Sequence, residues 1–405
     1  MKPARYAWFV VGLLWLVWLL NYLDRQVIFS LFPVLRAELS LSDVQLGLLG
    51  TSFLWVYAFA SPFAGYLGDR FNRKYIVGFS LAIWSAVTLL TGYARSFPEL
   101  IAARGLMGLS EACYLPAGLA LIADYHGPKT RSRATGLHYT GGYIGMVLGG
   151  FGGGYFGQLY GWRPVFLVLG LVGLVYTAVL FATMRSTEVR DTAGDGPMAR
   201  AGFRDSISEL LHTRGYLTLL TVFTIVGICN WMVYTWMPLY LYEHLHLTLA
   251  EAGFAATFYL QAGSLGGTAL GGCLADRWSR VNPRGRQLTQ ALGLLAAAPF
   301  LFLTGVASAP VLLYIGLIVF GLGRGFYDCN CMPVLCQVAR PALRGSGFGV
   351  FNCISSIAGG VVAVGAGALK STIGLGGSLA ATGALLFIAS LLLLRLRLSE
   401  GAAEA

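Results

Sequence analysis

Charge is scarce in this sequence: Asp, Glu, Lys and Arg make up 11% of 405 residues, against 56% hydrophobic side chains. So few ionic groups cannot clothe a water-soluble protein of this size, which excludes a large cytosolic catalytic module. A disulfide framework is also lacking. The seven cysteines are odd in number, lie almost entirely inside apolar stretches and imply no set of bridges. Cys329 and Cys331 stand two apart, so a helix would aim them in different directions, and packing explains them better than a metal. His244 and His246 beside Glu243 fit an exposed loop better than a zinc site. No nucleophile with a base, no metal constellation and no phosphate loop is found, so neither enzyme activity nor a cofactor is expected. The net charge of +10 would suit nucleic acid, yet the basic residues punctuate the ends of apolar runs instead of gathering on one face. No nucleic-acid partner is expected; the bilayer is.

What the chain does have is length in apolar runs. A spanning helix needs roughly 20 mostly apolar residues, and twelve helices are placed at 7–35, 43–68, 74–94, 98–124, 133–160, 163–184, 215–242, 250–275, 287–306, 311–339, 345–369 and 373–395. The N-terminal run mimics a secretory signal but is too long, contains Asn21, Asp24 and Arg25 and has no small-x-small cleavage site, so it reads as an uncleaved first span. With the N-terminus inside, only Arg36, Arg95, Arg163 and Lys370 of the 28 Lys and Arg fall on the opposite side. The positive-inside rule then puts both termini in the cytoplasm. The longest polar stretch divides the chain into 1–184, a linker at 185–214 and 215–405. Phe203, Ile207, Leu210 and Leu211 recur there at helical spacing, predicting a short helix on the inner membrane surface or a solvated linker helix.

The two halves echo each other. Gly65, Asp69, Arg70 and Arg73 return as Gly272, Asp276, Arg277 and Arg280, all displaced by one interval. Glu111 and Pro116 find Asp328 and Pro333, and Arg133 and Gly136 find Arg344 and Gly347, at slightly longer intervals. Two six-helix repeats with different loops give this drift. The segment from Gly65 to Lys74, reading GYLGDRFNRK, resembles the loop signature of the major facilitator superfamily. That resemblance implies an all-α membrane protein, twelve transmembrane helices in two pseudo-symmetric six-helix halves, working by alternating access. Independently, a carboxylate can accept from a helix N-terminus and an Arg can bridge to an acid such as Asp124, latching the inner side in one state. Gly65, Asp69, Arg70, Arg73, Asp124, Arg133, Asp276, Arg277 and Arg280 are therefore candidate gating residues. Pro341 stands where Asp124 would recur, so the second latch is incomplete. Plain positive-inside loop charge is the alternative for both copies.

Most of the chemistry must lie with the few ionisable groups the spans bury: Asp24, Arg25, Arg104, Glu111, Arg324 and Asp328. An ionised side chain costs about 2.5–3.5 kcal/mol at a helix centre, so such groups normally face a cavity and a partner. Arg104 and Glu111 lie about 10 Å apart on one helix face. Gly108 between them predicts a notch. Arg25 and Asp24 fall at similar depth, so all four are expected to share one chamber, with Arg25 offering a planar fork to a carboxylate or phosphate and Asp24 and Glu111 changing charge. A static ion-pair lattice is the alternative. Asn21-Tyr-Leu-Asp-Arg25, with Arg104, Gly105, Gly108 and Glu111-Ala112, resembles two branches of the family. One is the spinster-type transporters of lysolipids and sphingolipids. The other is the organic-anion symporters for sugar acids, sialic acid and vesicular glutamate, which Asn230-Trp231 and Tyr234 to Tyr240 also resemble. Both imply proton and anion handling by Asp24, Arg25, Arg104 and Glu111.

Arg324 and Asp328, four apart, can pair statically or act. Asn21, Tyr22, Tyr139, Asn230, Tyr234, Gln261, Tyr327, Asn330 and Asn352 are candidate polar contacts to a ligand, with helix packing the plain alternative for each. Gly136, Gly145, Gly149, Gly150, Gly153 and Gly154 resemble the glycine signature of antiporters in this superfamily, though Gly150 stands where proline is expected, and small residues also simply let helices approach. His138 in the same helix is read as a titrating group or a helix-end hydrogen-bonder. The expectation is a proton-coupled carrier of an organic anion, with lysolipid or drug export second and a non-transporting sensor remote. It is expected to act as a monomer in a bacterial inner membrane.

Overall fold

The computed structural model describes residues 3–126, 128–185, 203–340 and 343–396. They form fourteen helices: α1 (Pro3–Ser30), α2 (Phe32–Leu39), α3 (Asp43–Arg70), α4 (Arg73–Thr91), α5 (Phe97–Ala112), α6 (Tyr114–Tyr125), α7 (Pro128–Tyr160), α8 (Trp162–Thr183), α9 (Phe203–His212), α10 (Tyr216–Leu245), α11 (Leu249–Ser279), α12 (Gly285–Val306), α13 (Pro310–Val338) and α14 (Arg344–Arg395). Among the described residues, nine stretches are long and apolar enough to cross a membrane. One of them, α14, holds two spans joined at Gly374, whose φ of 70° turns the chain at little cost for a residue without Cβ. Adding the glycine-rich α7 and α11 completes the twelve expected spans.

Two spans depart from the continuous helices expected. The first stops at Ser30 and resumes as α2 after Leu31, with Pro33 in the new first turn. The fourth is perturbed at Cys113, which keeps helical torsions (φ −74°, ψ −22°) while its N–H turns to the Ser110 carbonyl at 3.2 Å. Pro116 explains it: a proline has no N–H and its ring crowds the carbonyl four residues back, here that of Ala112. The predicted surface helix is α9, and its Leu210 is buried beside Gly347. Residues 186–202 of the linker lie outside the described residues, as does Pro341.

The starts of α3 and α11 carry the repeat in their capping. Ser42 Oγ accepts from the Gln45 N–H at 3.2 Å while Gln45 Oε1 accepts from the Ser42 N–H at 2.9 Å. Thr248 and Glu251 make the same reciprocal pair at 3.2 and 3.0 Å. Each satisfies two orphan donors of its first turn.

The chain forms two compact units. The first comprises Met1–Asp191, Tyr234–Thr257 and Ala363–Gly367; the second comprises Thr192–Val233, Phe258–Val362 and Ala368–Ala405. In the first, α7 lies along α1 through Gly141, Gly145, Gly149 and Gly153, and a methyl at any of these would crowd a carbonyl of Trp15, Leu19, Leu23 or Val27. These four glycines therefore serve close approach, whereas a Cβ at Gly136 would meet nothing within 4 Å. A second stripe, Gly150 and Gly154, faces the backbone of Gly253 and Leu249 at the start of α11. In the second unit, α11 meets α13 in the same manner, Gly321 against the Leu260 carbonyl and Gly325 against that of Ser264.

Candidate functional site

The buried charges of the first unit converge. Arg25 on α1 donates from Nε to Glu111 Oε2 on α5 at 2.5 Å, and both residues are buried. Three rings surround the guanidinium carbon: Tyr22 at 5.2 Å, Phe53 at 4.8 Å and Tyr57 at 4.8 Å. Phe53 and Tyr57 are one turn apart on α3, so they present one stacked face to the cation. Arg104 shares it, its guanidinium carbon 4.7 Å from the Phe53 ring. Arg104 donates from Nε to the Leu49 carbonyl at 3.2 Å and from Nη1 to Met107 Sδ at 3.1 Å. Asp24 is buried on the next position of α1 and accepts from Thr88 Oγ1 of α4 at 3.3 Å.

Gly108 corrects the expected notch. A Cβ there would lie 2.5 Å from the Phe53 carbonyl oxygen and 3.2 Å from the Tyr57 nitrogen. The α3 backbone fills the space between Arg104 and Glu111. The glycine thereby admits the helix whose aromatics line both guanidiniums, and Glu111 pairs with Arg25 across helices instead of along its own.

At the pair itself, Arg25 Nη2 is buried and has no hydrogen-bond partner among the described residues. Asn21 is one turn before Arg25 and interacts with Glu111. A buried donor such as Arg25 Nη2 carries a desolvation penalty of about 1–3 kcal/mol unless something pairs with it. A donor fork, an acceptor and an amide gathered in one place suit a carboxylate that also bears hydroxyl groups.

The other expected contacts are dispersed. Tyr139 is 39% exposed and touches Trp18 edge-on at 6.2 Å. Tyr234 belongs to the first unit and its carbonyl accepts from Gln26 Nε2 at 3.4 Å. Asn230, Gln261, Tyr327, Asp328, Asn330 and Asn352 belong to the second unit. There Arg324 Nε donates to Asp328 Oδ2 at 3.1 Å, the intrahelical pairing the spacing allowed. Asn330 and Asn352 donate to carbonyls of their own helices, Phe326 at 3.0 Å and Phe348 at 3.3 Å. Tyr327 is buried with its hydroxyl against Cys331 Sγ at 3.9 Å. His138 is fully buried; Tyr114 donates its hydroxyl to the Leu14 carbonyl at 2.7 Å, so His138 Nε2, 2.9 Å away, donates to that oxygen.

Of the gating residues, the side chains of Gly65, Asp69, Arg70 and Arg133 lie outside the described residues. Arg73 pairs with Asp124 within the first unit, and Asp276 with Arg286 at 3.2 Å within the second. Arg277 and Arg280 are exposed at the end of α11 and beyond it. The Arg73 pair is partly exposed to solvent, so its contribution to stability is small. Asp124→Asn is expected to lower the melting temperature by less than about 2 °C, measured by thermal unfolding in detergent.

Sequence reading missed a cluster at the opposite helix ends. Arg36 at the end of α2 donates to Asp43 at the start of α3 and, at 2.7 Å, to Glu243 near the end of α10. Glu38 likewise accepts from Arg163 and, at 2.7 Å, from Trp162 Nε1. Read along the chain, Arg36 and Arg163 counted only as topology.

Residues 14–364 match the family model described as Major Facilitator Superfamily. The chain belongs to the Major Facilitator Superfamily. It is a multi-pass membrane transporter and not an enzyme. It is 26% identical over 390 residues to the probable galactarate/D-glucarate transporter GarP of Escherichia coli (strain K12), covering 88% of this chain and 86% of that protein. It is 30% identical over 323 residues to protein spinster homolog 1 of Homo sapiens, covering 75% of this chain and 61% of the human protein. A bacterial homolog to the human lysosomal transporter spinster, crystallised inward-facing and unoccupied, superposes with a TM-score of 0.82 at 24% identity over 99% of this chain and 100% of that one. At that identity the likeness bears on the fold.

Proposed function

We propose that this transporter carries an organic anion together with protons by alternating access, with Arg25 as anchor and Glu111 and Asp24 as the groups that load and release protons. The observation that carries the reading is the buried Arg25 and Glu111 pair, in which Arg25 Nη2 has no partner among the described residues. An anion approaching Arg25 competes with Glu111 for the same fork. Protonating Glu111 removes that competitor and leaves a hydroxyl that donates instead, so proton and anion favour each other's binding. Release of one then weakens the other, as coupled movement in one direction requires. Asp24, one position from the fork and bonded to Thr88, is the second carrier. The similarity to a probable galactarate/D-glucarate transporter supports a hydroxylated carboxylate as cargo.

The sign follows from linkage. Proton uptake with the ligand makes affinity rise as pH falls, by up to about tenfold per pH unit for each proton taken up. In a thermal-shift screen of sugar acids, aromatic acids and lysolipids at two pH values, one class of acids is expected to raise the melting temperature, and more so at the acidic pH. Equal shifts at both pH values would remove the proton coupling. A lysolipid or amphiphile exporter working by proton antiport is the second reading, favoured by the 30% identity to human spinster homolog 1. Stabilisation by lysolipids alone in the same screen decides for it.

A further inference from the structure

Away from the charge cluster, the second unit holds a cavity of about 300 Å³ lined by Arg214, Gly215, Thr218, Leu392, Arg395 and Leu396. It lies where two spans meet the membrane boundary, because the stretch Tyr216–Leu245 begins there and Ser346–Arg395 ends there. Both arginines are exposed, and among the described residues no carboxylate lines the cavity and neither arginine is in an ion pair.

The backbone around it is arranged for an anion. Helix α14 ends here, and its terminal carbonyls would repel negative charge. They are instead occupied: Arg284 Nη2 donates to the carbonyls of Leu394 at 2.7 Å and Leu396 at 3.0 Å, and Gln287 Nε2 donates to those of Leu393 and Leu396. Helix α10 starts here; the N–H groups of Tyr216 and Leu219 donate to the Thr213 and Gly215 carbonyls at 3.1 Å, while those of Leu217 and Thr218 have no acceptor within their own helix. The Thr218 hydroxyl adds a donor, and Leu392 and Leu396 supply an apolar wall beside the two guanidiniums.

We infer that this cavity binds a phosphate group, presented either by an anionic phospholipid headgroup or by a free phosphate, between Arg214 and Arg395. Two planar guanidiniums suit phosphate oxygens, and a site at the end of two spans meets headgroup phosphates at their own depth.

The test uses the full-length purified transporter and native mass spectrometry with added phosphatidylglycerol, phosphatidylcholine or inorganic phosphate. Wild type is expected to retain one more phosphatidylglycerol than the double variant Arg214→Gln/Arg395→Gln, whose affinity falls about 30-fold. Phosphatidylcholine should be retained equally by both. Arg95→Gln, in the first unit, should match wild type. Arg214→Lys/Arg395→Lys keeps the charge without the fork and is expected to bind between the two extremes. Binding or competition by millimolar inorganic phosphate, lost in the Gln double variant, identifies free phosphate as the occupant. Equal retention of phosphatidylglycerol by wild type and double variant, with no effect of phosphate on either, overturns the inference. Melting temperatures of all variants without lipid, required to lie near wild type, separate a lost site from a lost fold.

Discussion

Arg25→Ala is expected to lower counterflow of the carried anion in proteoliposomes by about 100-fold. A charge-assisted, forked contact to a carboxylate contributes roughly 1.5–3 kcal/mol, and each 1.4 kcal/mol is a factor of ten. The same change leaves Glu111 buried without its cation, which costs about 3–5 kcal/mol of stability, so loss of flux by itself is ambiguous. The double variant Arg25→Ala/Glu111→Gln resolves this by removing both charges. It should regain most of the stability and none of the transport. Glu111→Gln by itself keeps the anchor and removes the titrating competitor. Uptake driven by a pH gradient is then expected to collapse while binding of the anion becomes nearly independent of pH. Counterflow at the wild-type level in Arg25→Ala would sink the proposed site, because no other guanidinium of the first unit combines burial with an unpartnered terminal nitrogen among the described residues.

The membership of this site was legible in the sequence, but its wiring was not. Asp24, Arg25, Arg104 and Glu111 stood out because ionised groups inside apolar runs are costly, and that cost depends only on the local run. Who pairs with whom depends on how α3 approaches α5. The spacing of Arg104 and Glu111 suggested one helix face with a gap at Gly108, whereas that gap is where the α3 backbone docks. Phe53, Tyr57 and Thr88 carried no charge to mark them and became visible only once three helices were assembled. The pair Phe53 and Tyr57 did have the spacing of a single helix face, a signal available before the fold. Twelve apolar spans were equally legible, while the break at Leu31 and the perturbation at Cys113 needed the local weight of Pro33 and Pro116. Arg36 marked membrane orientation in the sequence, and its contacts with Asp43 and Glu243 emerge only when α2, α3 and α10 meet.

Gly253→Val is expected to reduce transport about 10- to 100-fold while leaving anion binding intact. Gly253 sits where α11 presses on α7, and any side chain there would overlap the Gly150 carbonyl and crowd Ser30 Oγ at 3.0 Å. Backbone cannot rotate away as a side chain can, and overpacking of this kind costs about 1–3 kcal/mol. Nearby, Trp236 Nε1 donates to the Ala363 carbonyl at 2.9 Å and Arg36 holds Asp43 and Glu243, so the same region of the first unit is fastened three ways. In a carrier that alternates, such packing exists in one state and must open in the other. The penalty therefore falls on one conformer only, and an equilibrium biased by that amount starves the cycle of one of its two states. The Arg25 cluster shares only α1 with this contact, and Ser30 lies more than a turn beyond Arg25 there, so the cluster keeps its geometry and binding survives. Gly266 on the same helix is the control: a methyl there meets nothing within 4 Å, so Gly266→Val tests helix propensity and bulk without the clash. Near-normal flux in Gly266→Val beside a blocked Gly253→Val ties the loss to the α7 and α11 contact. Equal impairment of the two assigns it to helix damage instead, and a fully active Gly253→Val means this contact is not one the cycle remakes.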